Sequence, residues 1–416
     1  MRCALRASLL CVLLFQLCLI AYIVMKNQSH PKWTAHPAVH VGYIVSILDN
    51  LKEYHTRSKL LVNAPGNNII LKYPDFKYTI PHFISVEDED MFKHHHDDDL
   101  NTNRDYDHLT GIIHTENFSK SAISSECGWT RLLHENSNSN QPIKNIPRYD
   151  VIRQNSNGPM RDRDILVPLF VPQGYTYQHF IDGVLPKLMQ IRPILHLRHL
   201  KFILEYPPRR DHAIVWQILL KLGIQRSRII YKSELQEFNE LPLLLDTCVT
   251  PPIHPILLNI ARDSIGINNH EYIDYVILIS RIGSHNPGRR IINKRETVHF
   301  LKERFPKNFF VFKGSTDLDK HASLFARTKL MIGVHGAGLY NMLLCNSKTT
   351  ILEIMPIDKG SLLPNLSTDI FWKMASSIGQ NYWRIYVERI DSHSNVNIPL
   401  KTMIKFLSLA NITNKN

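Results

Sequence analysis

The 416-residue sequence lacks the signatures of nucleic-acid-binding proteins. It contains no long block of lysine and arginine, no cysteine and histidine spacing of a zinc finger, and no RNA-binding aromatic motif. We therefore predict no nucleic acid partner, although 49 basic against 37 acidic residues give a net charge of +12 at pH 7. The positive charge instead predicts an anionic ligand or an anionic surface.

The chain is also poor in cysteine. Six cysteines occur, and three of them lie within the first 18 residues. The other three allow at most one intramolecular disulfide bond in an oxidising compartment. The sequence does not choose the pair among Cys127, Cys248 and Cys345.

A small-residue cleavage site is missing at the end of the apolar run over residues 7–25. As a helix the run would rise about 28 Å, which is enough for a thin bilayer. We predict a cytosolic tail over residues 1–6 and a transmembrane signal anchor over residues 7–25. Four N-glycosylation sequons place the remainder in the lumen, and their asparagines are Asn27, Asn117, Asn365 and Asn411.

Strand-like apolar runs alternate with helical patterns from Ile165 onwards, and a continuous helix is predicted over residues 178–197. The alternation predicts an α/β fold of two doubly wound Rossmann-type domains that face a cleft. Strands in the second half are predicted at residues 275–280, 309–312, 330–334, 350–354 and 382–387. The predicted segments are a stem over 26–75, Rossmann-like domains over 76–255 and 256–405, and a tail over 406–416.

The six-residue dinucleotide fingerprint is absent, but a glycine-rich turn lies between two apolar runs, with the letters GVHGAGLYNMLLC from Gly333 to Cys345. A strand, a glycine turn and a helix start together form a phosphate-binding unit. Gly333, Gly336 and Gly338 allow positive φ angles and close backbone approach, and a helix is expected from about Leu339. A tight corner without a ligand is the alternative interpretation.

Three arginines are expected beside this turn. Arg281 directly follows a predicted strand, and Arg289 and Arg290 lie in the next loop. Guanidinium groups bind phosphate oxygens through two parallel hydrogen bonds and keep their charge, so the three side chains suit a diphosphate. Ordinary surface arginines are the alternative.

Three other residues of this region have two interpretations each. His335 either donates a hydrogen bond to a phosphate oxygen or bonds to the backbone of the turn. Glu353 ends an apolar strand, where it either accepts hydrogen bonds from ribose hydroxyls or pairs with a nearby arginine or lysine. Asn341 either contacts the ligand or stabilises the turn.

His179 and Asp182 lie three residues apart at the start of the predicted helix over residues 178–197, and hence on one face. Either residue could remove a proton from a reacting hydroxyl as a general base. Alternatively, Asp182 supports the first helical turn and His179 packs beneath neighbouring aromatic residues.

Acidic and histidine-rich stretches at residues 88–90, 94–99 and 317–319 are weaker candidates for metal sites. We interpret 88–90 as an acidic polar stretch, 94–99 as a solvated loop, and 317–319 as the capped start of a helix. No metal ligand is predicted.

The order of several motifs resembles glycosyltransferase family 61. The matching pieces are Ser280-Arg281, Arg289 and Arg290 with Asn293, the GVHGAGLYNMLL turn, and the run ILEIMP from Ile351 to Pro356. The stretch QHFIDGVLPKL, Gln178 to Leu188, is similar to a His-Phe-x-Asp segment of that family. The combined order, over about residues 165–390, is far more specific than any single piece.

The resemblance implies a two-domain GT-B fold with an acceptor-binding first domain and a nucleotide-sugar-binding second domain. It also implies a UDP-sugar donor, inversion at the anomeric carbon and, for many members, type II anchoring in the ER or Golgi. The chain departs from the family at Lys294, where relatives often have an acidic residue, and over residues 344–348. The predicted donor-binding residues are Arg281, Arg289, Arg290, Asn293, His335, Gly336, Ala337, Gly338, Leu339, Asn341 and Glu353.

These observations predict an inverting transferase that moves a sugar, xylose or N-acetylglucosamine, from a UDP-sugar to a glycan or glycoprotein hydroxyl. His179 or Asp182 would be the base, and fixed positive charge would replace a metal, so no cofactor is expected. Alternatives are a non-catalytic luminal carbohydrate-binding protein on a degenerate transferase fold and a luminal nucleotide hydrolase. Without an ER-retrieval tetrapeptide, the Golgi membrane is expected rather than the ER.

Overall fold

A computed structural model shows how these segments are arranged. Residues 47–416 fall into one compact unit, and every described residue belongs to it. The structure describes residues 47, 49–54, 61–63, 68–74, 76–96, 110–117, 164–171, 173–204, 213–231, 243–248, 254–267, 273–281, 288–314, 317–360 and 369–413.

Strands and helices alternate through most of the described residues. The strands are β1 Leu61–Asn63, β2 Asn68–Lys72, β3 His82–Phe83, β4 Thr110–Asn117, β5 Ile165–Pro168, β6 Leu200–Leu204, β7 Ile229–Tyr231, β8 Leu243–Cys248, β9 Tyr275–Ile279, β10 Phe309–Phe312, β11 Thr328–Val334, β12 Thr350–Ile357 and β13 Asn381–Glu388. The α-helices are α1 Val86–His95, α2 Tyr177–His179, α3 Leu185–Gln190, α4 Ala213–Lys221, α5 Pro255–Ile265, α6 Lys294–Arg304, α7 Leu318–Ala326, α8 Ile370–Ile378 and α9 Leu400–Leu409, after a helical stretch at 49–54.

The second half of the chain forms a six-stranded sheet in the order β10-β9-β11-β12-β13-β3, with every neighbouring pair parallel. Its strands are continuous apolar runs because both faces are covered. Successive residues of β9 show this, since Ile277 belongs to one buried hydrophobic cluster and Leu278 to another. All eight residues of β12 are buried. This half agrees with the predicted alternation of strands and helices.

The first half forms a seven-stranded mixed sheet in the order β1-β2-β4-β8-β5-β6-β7. The four strands from β8 to β7 are parallel, whereas β1, β2 and β4 extend the sheet through antiparallel pairs. A doubly wound parallel sheet was expected here, so this part of the fold prediction is wrong. Antiparallel neighbours need no helical crossover, and the β/α alternation therefore gives no sign of them.

The predicted transmembrane helix has no counterpart among the described residues. In the described part of the chain, no helix combines the length and the hydrophobicity needed to cross a bilayer. The apolar run at residues 7–25, on which the prediction rested, lies outside the described residues. The architecture supported by the structure is a mixed α/β fold whose parallel sheet is compatible with a Rossmann-like fold.

The helix predicted over residues 178–197 is divided into short pieces. After α2, a π-helix spans Phe180–Val184, then α3 follows, and a 3₁₀ turn spans Arg192–Ile194. A Cβ atom on Gly183 would lie 2.9 Å from Val171 Cγ1, so this turn of the π-helix passes unusually close to the preceding loop. π-Helical turns inside α-helices occur frequently at functional sites.

Some segments lie in unexpected positions. Strands β1 and β2 fall within the predicted stem, and β3 is the edge strand of the second sheet, paired with β13. Asn117 is the last residue of β4, and Asn411 is exposed just after α9. Asn27, Asn365 and Cys127 lie outside the described residues.

Candidate functional site

The carboxyl ends of β9 and β11 mark the point where the parallel sheet reverses its order. β10 lies on one side of β9 and β11 on the other, so consecutive crossovers run in opposite directions. In open α/β sheets, ligands bind outside the strand ends at such a point. Arg281 follows β9 and the glycine-rich turn follows β11. The fold therefore brings the two predicted elements together at the expected position.

Gly336 shapes the turn after β11. Its φ of 148° and ψ of −180° describe a backbone conformation that essentially only glycine adopts. A Cβ atom on Gly336 would lie 3.0 Å from Arg289 Nη1 and closer still to Arg281 Nη1. Two guanidinium groups therefore rest directly against the backbone of this turn.

The other two predicted glycines are needed for packing rather than for a positive φ. Of the three, only Gly336 has a positive φ. A Cβ atom on Gly338 would lie 2.5 Å from Ile279 Cγ2, and one on Gly333 would lie 2.9 Å from Leu339 Cδ2. The expectation of positive φ at Gly333 and Gly338 is thus corrected, whereas the expectation of close backbone approach is confirmed.

The helix after the turn is a 3₁₀-helix over Ala337–Leu344, and it begins two residues earlier than predicted. Its first hydrogen bond runs from the Leu339 amide to the Gly336 carbonyl over 2.9 Å. The amides of Ala337 and Gly338 precede this bond, and such amides at a helix start are the donors available to an anion. The Leu339 side chain is itself buried and packs into the core.

The three predicted arginines form a cluster without acidic partners. Among the described residues, no carboxylate pairs with Arg281, Arg289 or Arg290. The Nε atoms of Arg281 and Arg290 are buried and have no hydrogen-bond partner. Burial, followed by the charges of Arg289 and Arg290, lowers the pKa of Arg281 to about 10. A bound anion would relieve both the desolvation and the mutual repulsion.

A loop near the carboxyl terminus holds the arginine segment in place. The amide of Arg289 donates to the His393 carbonyl over 2.8 Å, and the amide of Arg290 donates to Asn395 Oδ1 over 2.8 Å. Asn395 in turn donates through Nδ2 to Asp391 Oδ2 over 2.7 Å. These contacts fix the backbone of the two arginines and leave their guanidinium groups directed elsewhere.

Asn293 joins the same pair of segments. Its Nδ2 donates to the Ile398 carbonyl over 2.8 Å, and its Oδ1 accepts from the Ile398 amide over 2.9 Å. Nδ2 also lies 3.2 Å from Glu296 Oε2. The structure therefore shows a positioning contact for Asn293, and its predicted role as a donor ligand stays a prediction.

A pocket of about 450 Å³ opens at this edge of the sheet. Its walls come from the end of β9, the end of β11 and the start of α6, and they include Arg281, Arg289, Arg290 and Lys294. The volume falls within the range of small-molecule sites. The predicted arginines thus line a cavity instead of an open surface.

A buried polar cluster lies beneath the turn. His335 Nδ1 lies 2.8 Å from Glu353 Oε1, while Glu353 Oε2 accepts from Arg384 Nε over 2.7 Å and from the Tyr382 hydroxyl over 2.6 Å. Glu353 and Arg384 are fully buried, and they face each other in the register of β12 and β13. Glu353 therefore follows its alternative interpretation, pairing with an arginine, and its predicted ribose contact has no support from this geometry.

The electrostatics of this cluster favour the charged carboxylate. Burial raises the pKa of Glu353, but the charge of Arg384 and the hydrogen bonds from His335 and Tyr382 outweigh it and bring the pKa to about 2. An ionised Glu353 orients the His335 ring through Nδ1. Nε2 is then the ring nitrogen left for a ligand.

The sequence around this site matches a known protein family. The family model Glycosyltransferase 61 matches residues 177–352, from the start of α2 into β12. Residues 177–352 belong to glycosyltransferase family 61. A comparison with curated proteins gave no match. The predicted family is therefore confirmed, and with it a transferase that takes a sugar donor and an acceptor.

The two candidate bases lie beside the 3₁₀-helix of the turn. Asp182 Oδ2 accepts a short hydrogen bond from the Tyr340 hydroxyl, and Asp182 Oδ1 lies 3.6 Å from His179 Nδ1. The Asp182 side chain is 1% exposed, whereas that of His179 is 21% exposed. Burial raises the pKa of Asp182, and the groups of His179 and Tyr340 oppose that shift. The structure thus brings both candidates to the donor turn but leaves only His179 accessible.

Asn341 connects the glycine-rich turn to α2. Its Nδ2 donates to the Gly338 carbonyl over 2.8 Å, and its Oδ1 accepts from the Tyr177 hydroxyl over 3.3 Å. Asn341 is buried, so its alternative interpretation, stabilising the turn, describes what the structure shows. A direct contact of Asn341 with the donor stays a prediction.

The end of the 3₁₀-helix is fixed by a buried arginine. Arg262 of α5 donates through Nη1 to the carbonyl oxygens of Leu343 and Cys345, over 2.6 and 2.7 Å. Cys345 is a buried free thiol, and burial raises its pKa to about 12. It therefore forms no disulfide bond among the described residues.

The weaker metal candidates have structural roles where they are described. Residues 88–90 lie in the first turns of α1, and Asp317 caps α7 by accepting from the Lys320 amide over 3.1 Å. His96 was expected in a solvated loop, but it is buried and stacks 4.5 Å from the Phe92 ring. In the described part of the chain, no group of three potential ligands could hold a metal ion.

Sequence reasoning missed Arg384, Tyr340 and Asn395. Arg384 had a visible signal, since a charged residue inside the apolar run of β13 must find a buried partner. Tyr340 and Asn395 had none, because their partners Asp182 and Arg290 lie 158 and 105 residues away in the sequence.

Proposed function

We propose that the protein is an inverting glycosyltransferase that uses a UDP-sugar, with xylose or N-acetylglucosamine as the transferred sugar. The acceptor is a hydroxyl of a glycan or a glycoprotein. The observation that carries the proposal is the cluster of Arg281, Arg289 and Arg290, which has no carboxylate partner among the described residues. Two of these arginines rest against Gly336 where the sheet reverses its order. Such a cluster suits the diphosphate of a nucleotide sugar.

The diphosphate is the leaving group of the proposed reaction. As the bond from the anomeric carbon to the phosphate oxygen breaks, negative charge grows on that oxygen. Arg281 and Arg289 are already positioned, so they stabilise this charge without reorganisation at the moment of reaction. The amides of Ala337 and Gly338 add further donors at the same turn. Nε2 of His335 would donate there only in the imidazolium form, because Nδ1 is already used by Glu353.

His179 is the proposed general base. It is the accessible member of the pair, and it lies beside Asp182, whose second oxygen is occupied by Tyr340. Asp182, whose Oδ1 lies 3.6 Å from His179 Nδ1, is the proposed positioning residue for this ring. His179 takes the proton of the acceptor hydroxyl while that oxygen attacks the anomeric carbon from the face opposite the diphosphate, which inverts its configuration.

We propose that transfer needs no metal ion, because three arginines supply the charge that a divalent ion provides in other transferases. Addition of EDTA should leave the rate of UDP release unchanged. Activity that disappears with EDTA and returns with Mn²⁺ would contradict this part of the proposal.

The proposed compartment is the lumen of the Golgi. The exposed position of Asn411, within the sequon Asn411-Ile412-Thr413, supports access to the glycosylation machinery. Full-length protein expressed in animal cells should lose mass on treatment with a peptide N-glycosidase, and it should co-localise with Golgi markers. A mass that does not change would contradict a luminal location.

The central test is a UDP-release assay with UDP-xylose, UDP-N-acetylglucosamine and UDP-glucose, with and without glycoprotein acceptors. We expect release to depend on the acceptor. His179→Ala should lower kcat about 10² to 10⁴-fold, as for loss of a general base, with UDP affinity unchanged. The matched control is His196→Ala, an exposed histidine of the same region.

The other outcomes separate the alternatives. Equal UDP release with and without an acceptor would indicate a nucleotide hydrolase. Glycan binding without any UDP release would indicate a non-catalytic carbohydrate-binding protein on a degenerate transferase fold. A His179→Ala variant as active as the His196→Ala control would remove His179 from the mechanism.

A further inference from the structure

Lys294 lies in the donor pocket and has no role in the proposed reaction. It is the first residue of α6, and its Nζ donates to Ser280 Oγ over 2.9 Å. Ser280 is the residue between β9 and Arg281. The ammonium group of Lys294 is therefore held at the end of β9, inside the pocket that the arginines line.

The neighbours of Lys294 include the residue that follows β10, whereas Arg281 lies against the glycine turn. The Ser280 amide donates to the Phe312 carbonyl at the end of β10 over 2.7 Å. Burial and the charge of Lys313, which directly follows β10, both lower the pKa of Lys294. Arg281 instead leans towards Gly336, at the end of β11. The two groups of cations are thus held at the ends of different strands of the sheet.

The pocket carries more positive charge than a nucleoside diphosphate can neutralise. Five of the residues that line it are cations, and Glu296 is the one acidic residue among them. The Glu296 carboxylate lies on the exposed start of α6 and already accepts from Asn293. A diphosphate ester brings about two negative charges, so the arginine cluster is sufficient to bind it and Lys294 remains as an additional cation.

We infer that Lys294 forms a second anion subsite, which binds a carboxylate of an acidic sugar beside the diphosphate. The inference rests on the proposed donor site. A carboxylate on the acceptor leaves xylose or N-acetylglucosamine as the transferred sugar, whereas a carboxylate on the donor sugar replaces both. The carboxylate belongs either to the sugar of the donor or to the acceptor, and both sources share the same chemistry.

The test compares neutral and acidic ligands on the full-length protein at 150 mM salt, which is on the order of physiological ionic strength. Calorimetry measures the affinities of UDP, UDP-glucose and UDP-glucuronic acid for the wild type, Lys294→Gln and Lys302→Gln. Lys302 is an exposed lysine on the same helix, so its variant controls for the loss of one positive charge. A second arm measures methyl β-glucuronide against methyl β-glucoside with saturating UDP present.

We expect the wild type and Lys302→Gln to prefer the acidic ligand about tenfold in one arm, as for a charge-assisted hydrogen bond. Lys294→Gln should lose this preference and keep its affinity for UDP within about twofold. A preference in the first arm assigns the carboxylate to the donor, and one in the second arm assigns it to the acceptor.

Two results would overturn the inference, and they are distinguishable. If UDP binds but neither arm shows a preference that depends on Lys294, the second subsite is absent while the proposed function stands. If the wild type does not bind UDP at all, the proposed function fails and the inference fails with it.

Discussion

Two groups of charges lie on either side of the same turn, and they are built in opposite ways. Beneath the turn, Glu353 and Arg384 are fully buried and paired, and every oxygen of the Glu353 carboxylate has a partner. Above it, Arg281 and Arg289 face one another and Gly336, with no acidic side chain of the described residues beside them. The first group is complete within the protein, whereas the second has no carboxylate partner among the described residues and, under the proposed function, is completed by a bound anion.

The comparison separates structural charge from functional charge. Burying an ion pair contributes little net stability, but it fixes the positions of its members when all hydrogen bonds are made. The paired group therefore sets the orientation of His335 and the spacing of β12 and β13. The unpaired group destabilises the free protein through desolvation and mutual repulsion, and the proposed diphosphate would relieve both.

The largest effect is expected from breaking the paired group. Glu353→Gln leaves the buried Arg384 without a counter-charge, and loss of one partner of a buried pair costs about 3 to 5 kcal/mol. Denaturant unfolding should report this loss. The double variant Glu353→Leu with Arg384→Met should regain much of it, because no buried charge is then left unpaired. An unfolding free energy unchanged in Glu353→Gln would show that the pair is not structural.

A slightly smaller loss of folding stability is expected when the pH is lowered. The pKa of Glu353 is depressed from 4.5 to about 2 in the folded state, so the stability it contributes is present above pH 4.5. This stability is lost as the pH falls through the window from about 4.5 to 2, and it amounts to about 3 kcal/mol. The difference in unfolding free energy between wild type and Glu353→Gln should shrink across this window. A constant difference would contradict the depressed pKa.

A smaller loss of stability and of UDP affinity is expected from removing a contact that positions the unpaired arginines. Asn395→Ala removes the acceptor of the Arg290 amide, which should cost about 1 kcal/mol of stability and weaken UDP binding a few-fold. Ser392→Ala, an exposed position of the same loop, is the matched control. Thermal unfolding and calorimetry measure the two effects. If Asn395→Ala matches the control in both, the loop does not position the arginines.

Much of the parallel sheet could be predicted from sequence because its strands are continuous apolar runs. β10 spans Phe309–Phe312 as predicted, and β12 begins at Thr350 as predicted. The strands of the mixed sheet could not be predicted as reliably. β4 lies between polar stretches and pairs with β8, whose partner residues follow more than a hundred positions later. The local hydrophobic periodicity of a strand does not indicate which distant strand it pairs with.

The candidate site could be predicted as a set of residues but not as a set of contacts. The turn, Arg281 and the arginines at 289 and 290 were identifiable because strand ends of a parallel sheet meet at one edge. The partner of Glu353 was not, since only the register of β12 against β13 places Arg384 opposite it. Likewise, a spacing of three residues put His179 and Asp182 on one face. Only the structure shows that Asp182 is buried beside Tyr340 while His179 stays partly exposed.

The most direct test of the central claim is calorimetric titration of UDP into wild type, Arg281→Ala and Arg304→Ala. Arg304 is an exposed arginine at the end of α6, so its variant removes one charge away from the turn. The account predicts that Arg281→Ala lowers UDP affinity about 10 to 100-fold, the value of a charged hydrogen bond to phosphate, while its thermal stability is retained. Equal UDP affinity in Arg281→Ala and Arg304→Ala would contradict it.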